Sequence, residues 1–241
     1  VTSAPLDPSL FRFDPDAGGL LLVDKPLEWT SFDAVGKIRA AMRAASGRRV
    51  KVGHAGTLDP LATGLLVLGF GPYTKQLTAL TGLDKTYVGT MTLGATTPSY
   101  DLETTPQDHG PWEGLSVDEI HAAFARFTGS VEQRPPAHSA KRVDGERAYL
   151  LVRDEKYTAP VEVAPVQVQV HRLEVTAVDG PRIHFEAEVA KGTYIRSLAH
   201  DIGQVLGCGA HLSMLRRTRV GPFDVAHALS PADWAQLIAP R

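Results

Sequence analysis

The sequence predicts an α+β domain on a mixed, largely antiparallel sheet. Segments with two-residue apolar alternation recur along the chain, capped amphipathic helices interrupt them at irregular intervals, and no βαβ rhythm or fixed repeat organises them.

Residues 1–17, with three prolines and no periodicity, read as a loosely held arm, and the fold starts near Gly18. LLLVDKP (20–26) is a buried strand ended by Pro26. Thr30 to Asp33 has the form of a capping box, opening a helix with Val35, Ile38, Met42 and Ala45 on its apolar face and Gly47 at its end. Leu65–Phe70 is a second buried strand, a short helix surrounds 74–80, and KTYVGTMTLG (85–94) alternates with Tyr87, Gly89, Met91 and Leu93 on one side. Residues 97–115 read as a loop, and Ser116 with Glu119 caps a helix carrying Ile120, Phe124 and Phe127. QRPPAHSAKRVDGER (133–147), polar and basic, reads as an exposed loop or hairpin, the kind of segment on which function concentrates. Val166, Val168, Val170, Leu173 and Val175 mark one strand and Ile183, Phe185, Ala187 and Val189 the next. SLAHDIGQVLG (197–207) is a helix with Leu198, Ile202 and Leu206 inward, LSMLRRTRV (212–220) a strand, and PADWAQLI (231–238) a closing helix with Pro231 near its start.

At 241 residues, 43% hydrophobic and 22% charged, the chain has the composition of a soluble globular protein with a sizeable core. Its longest apolar run falls well short of the ~20 residues of a membrane helix, and a cytoplasmic location is expected. The single cysteine, Cys208, excludes an internal disulfide. A net charge of −2 does not advertise a nucleic-acid binder, but its distribution is uneven. Between Gly36 and His54 stand Lys37, Arg39, Arg43, Arg48, Arg49 and Lys51 with no acidic residue; Arg216, Arg217 and Arg219 form a second cluster. Each is either a solvated surface or a patch that tracks phosphates.

Most reaction classes find no seat here. There is no GxxxxGK[ST] loop, no GxGxxG after a strand and no G-x-S-x-G elbow, and Cys208 with His211 supplies only two of the ligands zinc needs, so neither cofactor nor metal is expected. What stands out is Asp59 in KVGHAGTLDPLATGLLVLGFG (51–71), bracketed by Gly53, Gly56 and Gly64 and followed by Pro60. Such glycines allow a tight backbone and close approach of a ligand, although a turn aspartate capping a short helix fits the same residues. A second segment, EVAKGTYIRSLAHDIG (188–203), carries Lys191, Tyr194 and Arg196 at the end of an alternating strand. A carboxylate shielded from water stays ionised only beside a cation or several donors, and arginine's planar fork suits it, so Asp59 and Arg196 could share one site. Tyr87 and Tyr194 could stack on a planar substrate or belong to the core.

These segments together resemble the bacterial family of tRNA pseudouridine synthases that modify the T-loop uridine. GGLLLVDKPLEWTS (18–31) is similar to the family's opening motif, with Glu28 where glycine is usual; VGHAGTLDPLATGLLVLGFGPYTK (52–75) resembles the block around the catalytic aspartate. KTYVGTMTLG (85–94), KGTYIRSLAHDIG (191–203) and LRRTRVGPF (215–223) resemble the tyrosine segment and the late motifs, in the expected order from about Gly18 to Phe223. The family's threonine-aspartate-threonine run is here Thr97, Pro98 and Ser99 with only Asp101 in place, and His138 and Arg142 replace a tyrosine and a lysine. Many members continue into a small C-terminal RNA-binding domain, and with the chain ending at Arg241 one of the usual size is not expected.

The resemblance implies a pseudouridine synthase catalytic domain over 18–241, with an RNA-binding loop or insertion at about 97–152, that isomerises uridine 55 of tRNA without cofactor or metal. The C1′–N1 bond breaks, the base turns, and C1′ joins C5. It implies Asp59 as nucleophile, either attacking C1′ or abstracting a sugar proton to give a glycal, Tyr87 as stacking platform and proton relay, and Arg196 as partner of the carboxylate. His54, Tyr194 and Leu212 would line the substrate site, with Lys25 and Lys191 near phosphates. It further implies base flipping, the tRNA T arm as partner, no membrane, no obligatory protein partner and a monomer. Two other readings are a guide-RNA-dependent synthase subunit and a tRNA-binding module with vestigial catalysis.

Overall fold

In the computed structural model, which describes residues 11–139, 142–143, 146–147 and 163–239, the chain divides into two compact units: Val1–Tyr87 with Leu215–Arg241, and Val88–Met214. In the first unit, the apolar run after Gly18 forms β1 (Gly19–Lys25), antiparallel to β3 (Ala62–Phe70) from Gly19 opposite Phe70 to Lys25 opposite Gly64. A short strand, β2 (Val52–His54), also pairs with β3. The return strand β12 (Ala210–Val220) lies parallel to β3 in the register Leu215 to Ala62, Arg216 to Thr63 and Arg217 to Gly64, and turns back into β13 (Phe223–Asp224). This parallel pair is what the expected mixed character of the sheet required.

Helix α1 (Ser31–Ser46) begins at the expected capping box: the Thr30 hydroxyl accepts from Asp33 N–H, the Asp33 carboxylate accepts from Thr30 N–H, and Gly47 ends the helix in the left-handed region. Its face of Ala34, Val35, Ile38 and Met42 is buried. The stretch after β3 is a 3-10 turn (Gly71–Gln76) leading into a short α2 (Leu77–Thr81). Near the C-terminus the closing helix (Pro231–Ile238) buries Trp234, whose indole N–H donates to Leu22 O at 2.7 Å. Residues 1–10 of the expected N-terminal arm lie outside the described residues; of the remainder, Phe11 sets its ring edge against Trp234 at 5.1 Å and Phe13 lies 5.9 Å from Phe70.

The second unit takes over within β4 (Lys85–Leu93), where the Phe185 ring fills the space a side chain at Gly89 would need. Strands β10 (Val166–Asp179) and β11 (Arg182–Val189) form a long hairpin, and β7 (Gly129–Gln133) pairs with the other side of β10. A register shift between Val170 and Arg172 explains why the inward phase passes from Val168 and Val170 to Leu173. Helix α3 (Val117–Ala125) carries the expected Ser116–Glu119 capping box, and α4 (Ile195–Leu206) buries Leu198 and Ile202. The expected 97–115 loop contributes β6 (Gln107–Asp108), which pairs with β5 (Ala95–Thr96).

The 133–147 segment differs from its reading as an exposed loop. Gln133, Pro135, Pro136 and Ser139 are buried, and the segment is tied to the start of α4: the Gln133 amide bonds Tyr194 backbone, Arg134 O accepts from the Ser197 hydroxyl and His138 O accepts from Arg196. Beyond them, β8 (Arg142–Val143) and β9 (Glu146–Arg147) form the expected hairpin; residues 140–141, 144–145 and 148–152 of the anticipated RNA-binding segment lie outside the described residues.

Glu28, in the family motif's glycine place, has φ +65°, and its N–H donates to Pro60 O at 2.9 Å. The turn therefore demands a left-handed residue, which costs a non-glycine side chain roughly 1–2 kcal/mol, partly offset by the lower unfolded-state entropy that glycine lacks. Glu28→Gly is expected to stabilise the protein by about 0.5 kcal/mol, read as a higher urea midpoint at unchanged slope. A lower midpoint would mean that the glutamate side chain contributes more than the strain removes.

Candidate active site

In the first unit, the loop between β2 and β3 carries Asp59, partly exposed. Five consecutive carbonyls of this loop are hydrogen-bonded. Gly56 O and Thr57 O accept from the Arg217 guanidinium at 3.1 and 3.3 Å, and Leu58 O accepts from the Ser31 hydroxyl at 3.1 Å while that hydroxyl accepts from Leu58 N–H at 2.8 Å. Asp59 O accepts from Ala62 N–H at 3.1 Å, and Pro60 O accepts from Glu28 N–H at 2.9 Å and from the Lys25 ammonium at 3.3 Å. A side chain carried on a backbone tied this completely keeps its position when a ligand arrives.

Two buried cations make much of this frame. Lys25, set by the sequence reading among phosphate contacts, is wholly buried, and its ammonium donates to Pro26 O at 2.9 Å and Trp29 O at 2.5 Å as well as to Pro60 O. Arg217 is 1% exposed and also donates from Nε to Leu65 O at 2.7 Å. The expectation of a C-terminal basic patch is therefore corrected: Arg217 is buried, Arg216 forms a bidentate pair with Asp24 at 2.7 and 3.0 Å, and Arg219 lies 3.8 Å from Asp224. A third cation, Lys85, is buried with its ammonium on Thr81 O and Leu83 O at 2.7 and 2.6 Å. His54, half-buried at the end of β2, has its pKa lowered by burial and then by Arg217, and its Nδ1 has no hydrogen-bond partner among the described residues. Tyr87, 8% exposed on β4, ends the first of this unit's two chain segments.

Burial pulls the Lys25 pKa down from 10.5 to about 8, with Asp59 opposing the shift and Arg217 adding to it. Between these values the unfolded chain binds more protons than the folded one, so this residue's contribution makes stability rise as pH increases from 8 to 10.5. The neutral amine keeps two N–H donors for three carbonyls, so the loop loses a tether over the same range. Activity is expected to fall above about pH 8 while the urea midpoint holds or rises, and Lys25→Met to remove this residue's part of both trends. An alkaline limb unchanged in the variant would count against Lys25.

In the second unit, Arg196 opens α4 and is 4% exposed. Its guanidinium donates to Ser99 O and His138 O, both at 3.1 Å, and Nε lies 3.7 Å from the Asp101 carboxylate. Tyr194, the N-cap residue, is fixed through its backbone: its N–H donates to Gln133 Oε1 at 2.7 Å and its carbonyl accepts from Gln133 Nε2 at 2.9 Å. Leu212, 4% exposed, donates its N–H to Tyr100 O at 2.9 Å, and Lys191 is exposed. Tyr100 holds φ +64° with its ring stacked on His200, centroids 3.9 Å apart. Since Arg196 and His200 lie one turn apart on α4, this stack and the Asp101 pair dock one loop against one helix face. Burial raises the neighbouring Asp201 to about 6.

Asp59, Lys25, His54 and Tyr87 thus belong to one unit and Arg196, Tyr194, Leu212 and Lys191 to the other. Sequence reasoning did not assign Arg217 and Ser31 to the site; Arg217 stands in a strand with Arg216 and Arg219, and nothing local marks it as the buried one of the three. Cys208 is buried, His211 Nδ1 lies 3.0 Å from Ala95 O, and among the described residues no group of three or more His, Cys, Asp or Glu side chains is placed to hold a metal. Among the same residues, no helix is long and apolar enough to cross a membrane.

Known proteins match this chain over most of its length. Residues 43–195 match the family model described as TruB family pseudouridylate synthase (N terminal domain), and residues 196–239 match that of the tRNA pseudouridylate synthase B C-terminal domain, so the stretch read as one catalytic domain carries two family patterns. The tRNA pseudouridine synthase B of Chlorobium luteolum is 46% identical over 91% of this chain and 75% of its own length, and that of Flavobacterium johnsoniae 44% identical over 88% and 92%. A chain in the solved structure of an H/ACA RNP bound to a substrate RNA containing 2′-deoxyuridine is 29% identical with a TM-score of 0.65, over 91% of this chain and 52% of that one. The chain spans about half the length of that solved relative. With both family patterns in order and close relatives aligned over most of its length, the chain belongs to the TruB family of pseudouridylate synthases.

Proposed function

We propose that the protein converts uridine 55 in the T loop of tRNA to pseudouridine, with Asp59 as nucleophile. The observation that carries this reading is the Asp59 carboxylate on a loop whose five consecutive carbonyls are tied, in a chain of this family. A pre-set carboxylate suits a reaction in which an anion must meet a sugar carbon without searching for its position. The uridine leaves its loop to enter the site, and the few kcal/mol lost in unstacking are recovered in the pocket. Tyr87 stacks on the flipped base and relays the C5 proton, His54 steadies the space the base vacates, and Tyr194 and Leu212 contribute to substrate binding. Arg196, held beside Asp101 within its own unit, keeps the role of the reaction's cationic residue. Lys25 acts through the loop, while exposed Lys191 meets phosphate. The C1′–N1 and C5–H bonds break and the C1′–C5 and N1–H bonds form. The C5 proton leaves and N1 takes one up, so the isomerisation balances with no net consumption of water and no redox partner. The protein works as a cytoplasmic monomer on the T arm.

The test is tritium release from tRNA transcript labelled at uridine C5. Release by the purified chain, lost when the T-loop uridine is replaced, is expected. No release despite measured tRNA binding would sink the stand-alone reading. A second reading, a subunit that works inside a ribonucleoprotein, draws on the likeness to the H/ACA chain. Turnover of tRNA with no other component present excludes it.

A further inference from the structure

The outward face of α1 is unlike the rest of the first unit. Its inner residues are buried, yet Phe32 is 69% exposed, with the Arg39 guanidinium 5.3 Å from its ring centroid. A groove of about 650 Å³ runs along this face, floored by Gly36, Ala40 and Ala44 and walled by Phe32, Arg39 and Arg43. Adjoining it, a second groove of about 440 Å³ is lined by Arg39, Arg43, Arg48 and Arg49 together with Gly47. Arg48 pairs with Asp16; Arg39 Nε is buried with no hydrogen-bond partner among the described residues. A chain of net charge −2 therefore sets four arginines around one cavity, beyond what a helix C-terminus needs to offset its dipole.

The direction of α1 says which part of a polyanion would lie here. Its first residue, Ser31, is hydrogen-bonded to Leu58 beside Asp59, and the helix's 16 residues span about 24 Å at ~1.5 Å each. The arginine-lined end is thus about the length of seven nucleotides of a duplex strand from the loop, at ~3.4 Å per nucleotide. We infer that the outward face of α1 is a second RNA-binding surface. It takes the sugar-phosphate backbone several nucleotides from the target uridine in the arginine groove, and an unpaired base on the Phe32–Arg39 pair. This rests on the proposed tRNA substrate.

The test is equilibrium binding of tRNA over a salt series, with turnover measured alongside. Arg43→Glu with Arg49→Glu is expected to weaken binding at least tenfold near physiological salt, reduce the slope of log K against log salt by about 2, and leave kcat at saturating tRNA within twofold. Phe32→Ala is expected to weaken binding about fivefold or more with the slope unchanged, since stacking releases no counterions. A charge-matched control, Arg126→Glu with Arg182→Glu at exposed positions of the other unit, is expected to change affinity less than threefold. Wild-type affinity in the α1 variants overturns the inference and leaves the face to a protein partner. Equal loss in the control overturns it too, reducing the effect to net charge. Because binding is read apart from product, a chain that binds tRNA through this face yet releases no tritium fails the catalytic proposal and not this one.

Discussion

Asp59→Asn is expected to lower tritium release by on the order of a thousandfold or more while tRNA affinity and the urea midpoint stay near wild type. The substitution keeps shape and removes the charge, and an amide oxygen neither attacks a sugar carbon nor leaves again as a carboxylate does. The loop is held through its main chain, by Arg217, Ser31, Ala62, Glu28 and Lys25, so losing one side-chain oxygen does not release it. A secondary effect has a definite sign. Asp59 raises the Lys25 pKa, so in the variant that pKa falls further and the alkaline weakening of the loop begins at lower pH. Asp59→Glu is expected to be nearly as inactive, because one more methylene moves the carboxylate by about an ångström on a backbone that does not follow. An Asp59→Asn enzyme retaining a tenth of wild-type turnover would exclude the nucleophilic role.

Where local chemistry decides structure, the sequence was legible. Thr30 with Asp33 and Ser116 with Glu119 specify helix starts through bonds closed within four residues, and Gly47 specifies an end by its left-handed φ. Alternation placed β10 and β11, although the strand read as alternating cleanly breaks phase between Val170 and Leu173, where the register shifts. The Asp59 loop was legible for a related reason, since three nearby glycines and a proline limit what the backbone can do.

What stayed hidden depends on partners distant in sequence. Lys25 and Arg217 look like surface cations in a list of residues, yet they are buried because loop carbonyls need donors that no local hydrogen-bonding pattern supplies. Likewise Arg196 suggested a carboxylate partner without naming Asp101, 95 positions earlier, and nothing local in QRPP marks Gln133 as the residue that holds Tyr194. Glu28 reversed the usual inference: the resemblance showed a glycine missing, and only the positive φ showed what the glycine is for.

The largest stability effects are expected where β3 and β12 meet. Gly64 has φ +101°, and a Cβ there would lie 2.2 Å from Arg217 O and 2.8 Å from Arg217 N, so Gly64→Ala must part the parallel pair that aims the Arg217 side chain. Arg217→Met keeps most of the volume but leaves Leu65 O, Thr57 O and Gly56 O without their donors, each a loss of roughly 1–3 kcal/mol. Each substitution is expected to lower stability by about 3 kcal/mol or more, measured by urea unfolding. Turnover per folded molecule should fall further in both, because the loop that carries Asp59 loses two of its tied carbonyls. The double variant separates this account from two unrelated defects. If both act through the same guanidinium, their costs fall short of additive by 1 kcal/mol or so, since a displaced Arg217 has little left to lose. Full additivity would mean that Gly64→Ala harms the sheet without moving the side chain, and the link from strand register to the Asp59 loop would fail.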